Sequence, residues 1–253
     1  MKILVVGDSC TDVFRYGSAA RMCPEAPVPV FVPEQEVSCG GMIHNVVYHL
    51  SQMGVEYDLE HCKTESTKTR FIDTKTNQML MRLDENDGCL EPFNPSEFLQ
   101  GRHYDAVIIS DYGTGYLSQE AIEYLLRTIK YSFVDTKKRL GDWLSYATFV
   151  KINVVEWELS RTPETWKALR HNLVVTNGAA GCKFGSVSYK PKHVETVVDT
   201  SGAGDVFLAG LAAKYLECRD AGEAIRYAND AASQVVKVRG VRTNLNLPKV
   251  NIK

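Results

Sequence analysis

The 253-residue sequence lacks several things, and each shortage removes a class of protein. Its apolar runs, including the first from Met1 to Val6, are too short for a membrane-spanning helix or a signal-peptide core. Charge of one sign is not in excess: 29 Lys and Arg stand against 31 Asp and Glu, for a net charge of −2. Neither nucleic acid nor a membrane surface is expected as a partner. The seven cysteines are odd in number, scattered and without a C-x-x-C pair. They read as reduced thiols of a cytoplasmic protein rather than a zinc site or a disulfide framework. The G-x-x-x-x-G-K-[ST] phosphate loop is missing, which argues against a P-loop enzyme. There is no internal repeat, low-complexity tract or long linker, and the length suits one α/β domain over residues 1–253.

What is present centres on Asp199 to Gly210, DTSGAGDVFLAG. Gly202, Ala203 and Gly204 precede Asp205 and an apolar run that reads as the start of a buried helix. A small-residue turn opening a helix exposes unpaired backbone N–H groups at the positive end of the helix dipole, which suits an anion. At this spacing Asp205 is either a helix cap or a base beside a bound phosphate.

The rest of the chain falls into order around it. Lys2 to Val6 reads as a buried strand ending at Gly7-Asp8. Residues 11–33 carry Asp12, Arg15, Arg21 and Glu25 and then prolines at 24, 27, 29 and 33, a density that forbids helix and central strand. This extended segment is a covering loop or a flap over a ligand, with Asp12 taking hydroxyls and the arginines an anion. Gly40-Gly41 leads through Asn45 into an amphipathic helix ending at Gly54, and is either a tight turn or a close backbone approach. Residues 67–84 alternate around Lys75-Thr76-Asn77-Gln78 and predict a β-hairpin. From Asp105 on, strands alternate with helices, which implies parallel strands with helical crossovers. Asp8, Asp111, Asp135, Asn153 and Thr176 follow successive strands, so their carboxyl ends form one polar edge, where ligands of open α/β sheets lie. The last amphipathic helix, opened by Asp220 and Glu223 in the manner of a capping box, carries an alanine-rich face for tight packing or for a flat purine slot. The tail from Asn244 to Lys253 reads as unstructured or edge-like.

Phosphoryl transfer needs donors for the anion, Mg²⁺ and a placed base, and little covalent chemistry from the protein. Gly202 to Gly204, Asn153 with Glu156, and Asp205 are of the types required.

At Asp199 to Asp205, at Asn153-Val154-Val155-Glu156 and at Gly40-Gly41 with Asn45, the sequence resembles the ribokinase-like (PfkB) carbohydrate kinases. That resemblance implies a three-layer α/β/α sandwich with a mostly parallel sheet and a small β-sheet lid made of residues 11–37 and 67–84. It implies ATP and Mg²⁺ as cofactors and leaves a monovalent cation open. Asp205 would be the base, and Gly202, Ala203 and Gly204 the anion hole. Asn153 and Glu156 would organise Mg²⁺, Thr176, Gly178 and Gly181 would flank ATP, and Asn229 would lie near adenine. Asp12, Arg15, Arg21, Gly40, Gly41, Asn45, Asp111 and Lys137 would form the substrate side.

A more specific resemblance is to kinases that phosphorylate D-glycero-D-manno-heptose 7-phosphate at O1. It rests on Gly7-Asp8 with Asp12, Tyr16-Gly17 and Arg21, Pro24 to Val30, Thr67 to Arg70, Met81 to Asp84, Ser110-Asp111-Tyr112, and Asp135 with Lys137. It implies a sugar-phosphate substrate, with Arg15 or Arg21 on the phosphate already present, and a homodimer paired through the lid. Four departures stand out. A strand-helix-strand unit is shortened to residues 54–66, predicting a trimmed sheet edge. The Gly-Gly pair is one residue farther from Asn45, Thr114 replaces a lysine, and the adenylyltransferase domain of the fused enzymes is expected to be absent. A kinase of fructose, ribose or a nucleoside, and a non-catalytic nucleotide- or sugar-binding relative, remain open alternatives.

Overall fold

In the first strand, β1 (Ile3–Gly7), every residue is buried, and its side chains enter two different cores: Ile3 and Val5 one, Leu4 and Val6 the other. A strand apolar on both faces belongs inside a sheet that is covered on both sides. The computed structural model, which describes residues 1–64, 66–89, 91–191, 197–237, 244 and 248–252, places it there. After β1 come β2 (Ser9–Met22), β3 (Pro29–Met42), α1 (Ile43–Gln52), β4 (Asp58–His61), β5 (Thr67–Asp73) and β6 (Met79–Glu85). The chain continues through α2 (Pro95–Phe98), β7 (Ala106–Asp111), α3 (Gln119–Thr128), β8 (Tyr131–Thr136) and β9 (Phe149–Asn153). The remaining elements are α4 (Val154–Ser160), α5 (Pro163–Leu169), β10 (Leu173–Thr176), β11 (Cys182–Phe184), β12 (Val187–Tyr189), α6 (Ala203–Cys218) and α7 (Ala221–Val235).

The main sheet has eight strands in the order β12-β11-β10-β9-β8-β7-β1-β4, parallel from β4 to β10, with β11 and β12 antiparallel. Helices α1, α6 and α7 supply the core on one face, and α3, α5 and the turn at Trp143 and Leu144 supply the other. This is the α/β/α arrangement expected. The edge strand β4 is only four residues long, the trimmed edge anticipated from residues 54–66. Among the described residues no helix is long and apolar enough to cross a membrane.

Local signals bound the helices. Ser118 caps α3 by accepting from Ala121 N, and Thr162 caps α5 with Pro163 in its first turn. Asp220 caps α7 through Glu223 N, but the Glu223 carboxylate pairs with Lys214 at 2.8 Å rather than closing a capping box. Gly54, at φ +81, follows the end of α1. Of the expected irregular tail, residues 245–247 and 253 lie outside the described residues. Val250 is buried and its N–H donates to Met53 O at 3.0 Å.

A second sheet, order β3-β2-β5-β6, stands against the carboxyl end of β1. The proline-rich chain becomes its edge strand β3, where Pro29 and Pro33 need donate nothing to a further neighbour. The predicted hairpin is β5 and β6. Gly40-Gly41 makes no turn and forms the last part of β3. A Cβ on Gly41 would lie 2.3 Å from Asp12 Oδ2, so glycine there is the close approach rather than the turn.

One expectation is corrected. Cys62 and Cys89 form a disulfide with Cα atoms 6.2 Å apart, so the seven cysteines are not all reduced thiols. The bridge joins the end of β4 to the chain leaving β6, and only the fold brings those two segments together. Cys10, Cys23, Cys39, Cys182 and Cys218 are free.

Helices α6 and α7 pack closely enough that a Cβ on Gly210 would lie 3.2 Å from Ala228 Cα. Ala228→Leu is therefore expected to lower stability by about 1–3 kcal/mol through overpacking, read as a reduced urea midpoint at unchanged slope.

Candidate active site

The strand ends assemble the polar edge that the alternation implied. Parallel registers set Gly7 beside Ser110, Ser110 beside Asp135, Asp135 beside Lys151, and Asn153 beside Thr176. Helix α6 begins over this edge. Its N-cap is Gly202 at φ +75, a left-handed conformation that favours glycine, and no side chain caps it. Asp205 is thus not the cap. Its position in the first turn aims the carboxylate inward, where Asn45 Nδ2 donates to Oδ2 at 3.0 Å and the Tyr112 hydroxyl donates to Oδ1 at 2.7 Å. The N–H groups of Gly204 and Asp205 belong to the helix start and have no intrahelical acceptor.

Burial is the main influence on Asp205 and pushes its pKa up to about 6, against the opposing hydrogen bonds of Tyr112 and Asn45 and the charge of Lys151. Tyr112 is held protonated, chiefly by burial and then by Asp205 and Asp135, so it acts as a donor to the carboxylate. Asn45 Oδ1 is buried with no hydrogen-bond partner among the described residues, which leaves an acceptor beside the base. Around this centre, Tyr112 is fixed by its own N–H donating to Asp8 Oδ2 at 2.5 Å, and Thr114, the residue in place of a lysine, donates to Asp8 Oδ1. Asp111 accepts from Gly113 N at 3.1 Å, from Thr136 and from Lys138 at 3.1 Å, so it braces the loop from beneath.

Asn153 and Glu156 form a complete capping box at the start of α4. Glu156 also pairs with Lys137, and its pKa is lowered: burial would raise it, but Lys137 and the Asn153 N–H outweigh burial. Burial would lower the Lys137 pKa, yet Asp135, Glu156 and Asp205 raise it. No group of three or more His, Cys, Asp or Glu suited to a metal occurs among the described residues. Asn153 Oδ1 and both Glu156 oxygens are engaged by the capping box and by Lys137, so this pair would meet a hydrated cation only through its waters.

Beside Gly204 opens a cavity of about 630 Å³, lined by Thr176, Gly178, Gly181, Phe207, Asn229 and Ala232 among others. The alanine-rich helix serves both the core and the cavity wall. Ala224, Ala228 and Ala231 are fully buried in the core, while Ala232, Ser233 and Val236 line the cavity. Asn229 donates to Tyr189 O at 3.2 Å from the cavity wall, and Thr176 donates to Ile152 O at 3.0 Å. The volume, and the lack of Asp and Glu among the described wall residues, suit a nucleotide.

On the second sheet, Asp12 is buried and paired with Arg70 at 2.6 Å. Register puts Asp12, Lys68, Arg70 and Arg82 on one face, toward the cleft. Arg15 falls on the opposite face, paired with Glu36 at 2.6 Å, and Arg21 lies exposed at the far end of β2. The structure brings Asp12, Gly41 and Asn45 toward Asp205 but not Arg15 or Arg21. Sequence reading gave Tyr112, Lys68 and Arg70 no role. The alternation Thr67-Lys68-Thr69-Arg70 held the signal, since in a strand Lys68 and Arg70 share one face, where Arg70 pairs with Asp12 and Lys68 with Asp84 and Asp87.

With this geometry in place, comparison with known proteins is decisive. The pfkB family carbohydrate kinase profile matches residues 118–248, about half of the chain. The chain belongs to the pfkB family of carbohydrate kinases. Curated relatives include the bifunctional protein HldE of Methylococcus capsulatus, 29% identical over 93% of this chain and 60% of that protein. The bifunctional protein HldE of Marinomonas sp. is 31% identical over 92% of this chain and 60% of its own length. The chain thus spans about 60% of the length of these relatives. Among solved structures, the nucleoside kinase of Methanocaldococcus jannaschii superposes with a TM-score of 0.71 at 18% identity, covering 98% of this chain and 94% of that one. The ribokinase of Arabidopsis thaliana, solved with ribose and ATP, gives 0.68 at 14% identity over 94% and 93% of the two chains. These likenesses establish the ribokinase-like fold.

A carboxylate buried at this cost carries a stability signature. Asp205 titrates at about 6 when folded and near 3.8 when unfolded, so the folded state binds the extra proton between those values. Stability from this group is complete below pH 3.8 and lost as pH rises through 6. Asp205→Asn, whose amide can donate to the Tyr112 oxygen and accept from Asn45, should be more stable than wild type by up to about 3 kcal/mol above pH 7 and equal to it below pH 4. Urea unfolding at the two pH values measures the difference.

Proposed function

We propose that the chain is an ATP-dependent sugar kinase that transfers the γ-phosphoryl of ATP to a hydroxyl of a sugar phosphate, heptose 7-phosphate at O1 in the first instance. The observation that carries this reading is Asp205, a buried carboxylate in the first turn of α6, held by Asn45 and Tyr112 and next in the chain to Ala203 and Gly204, which line a nucleotide-sized cavity. ATP would occupy the cavity between Thr176, Gly178, Gly181 and Asn229, with its γ-phosphoryl at the N–H groups of Gly202, Ala203 and Gly204. Asn153 and Glu156 would hold Mg²⁺ through its waters; when bound, the ion neutralises charge on the phosphate oxygens. Asp205 accepts the proton of the attacking hydroxyl, while Tyr112 and Asn45 keep the carboxylate oriented toward it. Asp12, Gly40, Gly41, Asn45 and Asp111 make up or brace the sugar side. Arg70 beside Asp12, Lys68 on the same face and Lys137 beside Glu156 supply positive charge around that cleft, which suits a phosphorylated sugar.

The second sheet acts as a lid in this reading, and its outer face supports a homodimer. Met81 and Leu83 are 53% and 43% exposed and share that face with Phe71. An apolar sheet face of this kind needs cover.

Three arms test the reaction. Purified protein with Mg·ATP should phosphorylate heptose 7-phosphate faster than free heptose, ribose, fructose or nucleosides, and the preferred acceptor should raise the melting temperature most. Asp205→Asn should lower kcat by about 10²- to 10⁴-fold with ATP affinity kept; an undiminished rate would remove Asp205 from the chemistry. Because the base must be ionised, kcat/KM should fall as pH drops below about 6. For the lid, wild type should sediment as a dimer and Met81→Lys/Leu83→Lys as a monomer; a monomeric wild type at micromolar concentration would contradict the pairing.

A further inference from the structure

β9 is an apolar strand with one charged residue in it: in Phe149-Val150-Lys151-Ile152-Asn153, Lys151 is 5% exposed. Its ammonium pairs with the carboxylate of Asp135 on the neighbouring strand, whose Oδ1 is buried with no hydrogen-bond partner among the described residues. The Lys151 side chain does not end at that pair. A Cβ on Gly204 would lie 2.8 Å from Lys151 Nζ, so the ammonium sits directly against the first turn of α6, at the wall of the nucleotide cavity. Gly204 has no positive φ to require glycine, and a side chain there would have to displace the Lys151 ammonium from its place against the helix.

A cation packed against a helix N-terminus meets the positive end of the dipole, the reverse of the favoured arrangement. Burial adds a desolvation cost that one carboxylate offsets only in part. An apolar residue would serve the fold at this point with less conflict. The placement becomes favourable when a phosphate dianion arrives, because helix N–H groups and ammonium then act on the same charge in a water-poor site. Of the other lysines nearby, Lys137 is 40% exposed and committed to Glu156, Lys138 is paired with Asp111, and Lys190 is an exposed residue of the cavity wall.

We propose that Lys151 is the fixed cation of the anion hole, binding the γ-phosphoryl group of ATP from beneath Gly204 during its transfer. The inference rests on the kinase reading above. In the transfer the bond from the γ-phosphorus to the ADP oxygen breaks, the bond to the sugar oxygen forms, and the hydroxyl proton goes to Asp205. Lys151 exchanges no proton; it stabilises charge on the phosphoryl oxygens.

The test compares Mg·ADP with Mg·AMP-PNP by titration calorimetry on wild type, Lys151→Met, Lys151→Met/Asp135→Asn and Asp135→Asn, with thermal melts to verify folding. The double variant removes the pair without leaving a buried charge. Both Lys151→Met proteins should lose roughly 10-fold in AMP-PNP affinity with ADP affinity nearly unchanged, and roughly 10²-fold in kcat. Asp135→Asn should keep the preference for AMP-PNP. If the Lys151→Met proteins retain the wild-type ratio of affinities, or if Asp135→Asn loses it equally, the ion pair only supports the fold and the inference is overturned. A wild type that binds neither nucleotide overturns the kinase reading itself and Lys151 with it, whereas an active wild type matched by fully active Lys151 variants overturns Lys151 alone.

Discussion

A carboxylate held out of water in the first turn of α6 is the constraint on which the rest of this structure turns. Burial of Asp205 raises its proton affinity, and only donors from distant parts of the chain keep it oriented: Asn45 from α1 and Tyr112 from the loop after β7. Each of those donors needs its own support. Tyr112 is fixed by Asp8 at the end of β1, and the loop that carries it is braced by Asp111, Thr136 and Lys138. A carboxylate with its pKa raised to about 6 thus depends on Asp8 and Asp111, each held by the next strand or loop.

Electrostatics divides the cleft. On one side lies the cavity proposed for the nucleotide, lined by glycines, small side chains, Phe207 and Lys190, with the start of α6 at its edge. On the other, the proposed sugar side is framed by the second sheet, where Asp12 is neutralised by Arg70, and Lys68 by Asp84 and Asp87. The nucleoside kinase and ribokinase neighbours share the fold at 18% identity or less, so they carry the scaffold and not the acceptor.

Much of this was legible beforehand. Short-range physics leaves marks in sequence: Ser118, Thr162-Pro163 and Gly54 punctuate helices, the alternation over residues 67–84 marks a hairpin, and apolar runs ending in Asp8, Asp111, Asn153 and Thr176 mark parallel strands with a polar edge. The Cys62–Cys89 bridge was not legible, because 27 residues of separation say nothing about two strand ends meeting in space. The side of the second sheet on which Arg15 lies was equally hidden, since register across three strands sets it and local pattern does not.

Sequence by itself determined the element types, the parallel order of the strand ends and the identity of Asp205 as either cap or base, because capping, periodicity and turn chemistry act between near neighbours. Tertiary structure alone excluded the cap. Gly202 takes the cap position, and Asp205 turns toward Asn45, 160 residues earlier, and Tyr112, 93 residues earlier. The same holds for Lys151, an unexplained charge in an apolar strand until α6 is laid over it. Desolvation and long-range hydrogen bonding set these roles, and both exist only once the layers have packed.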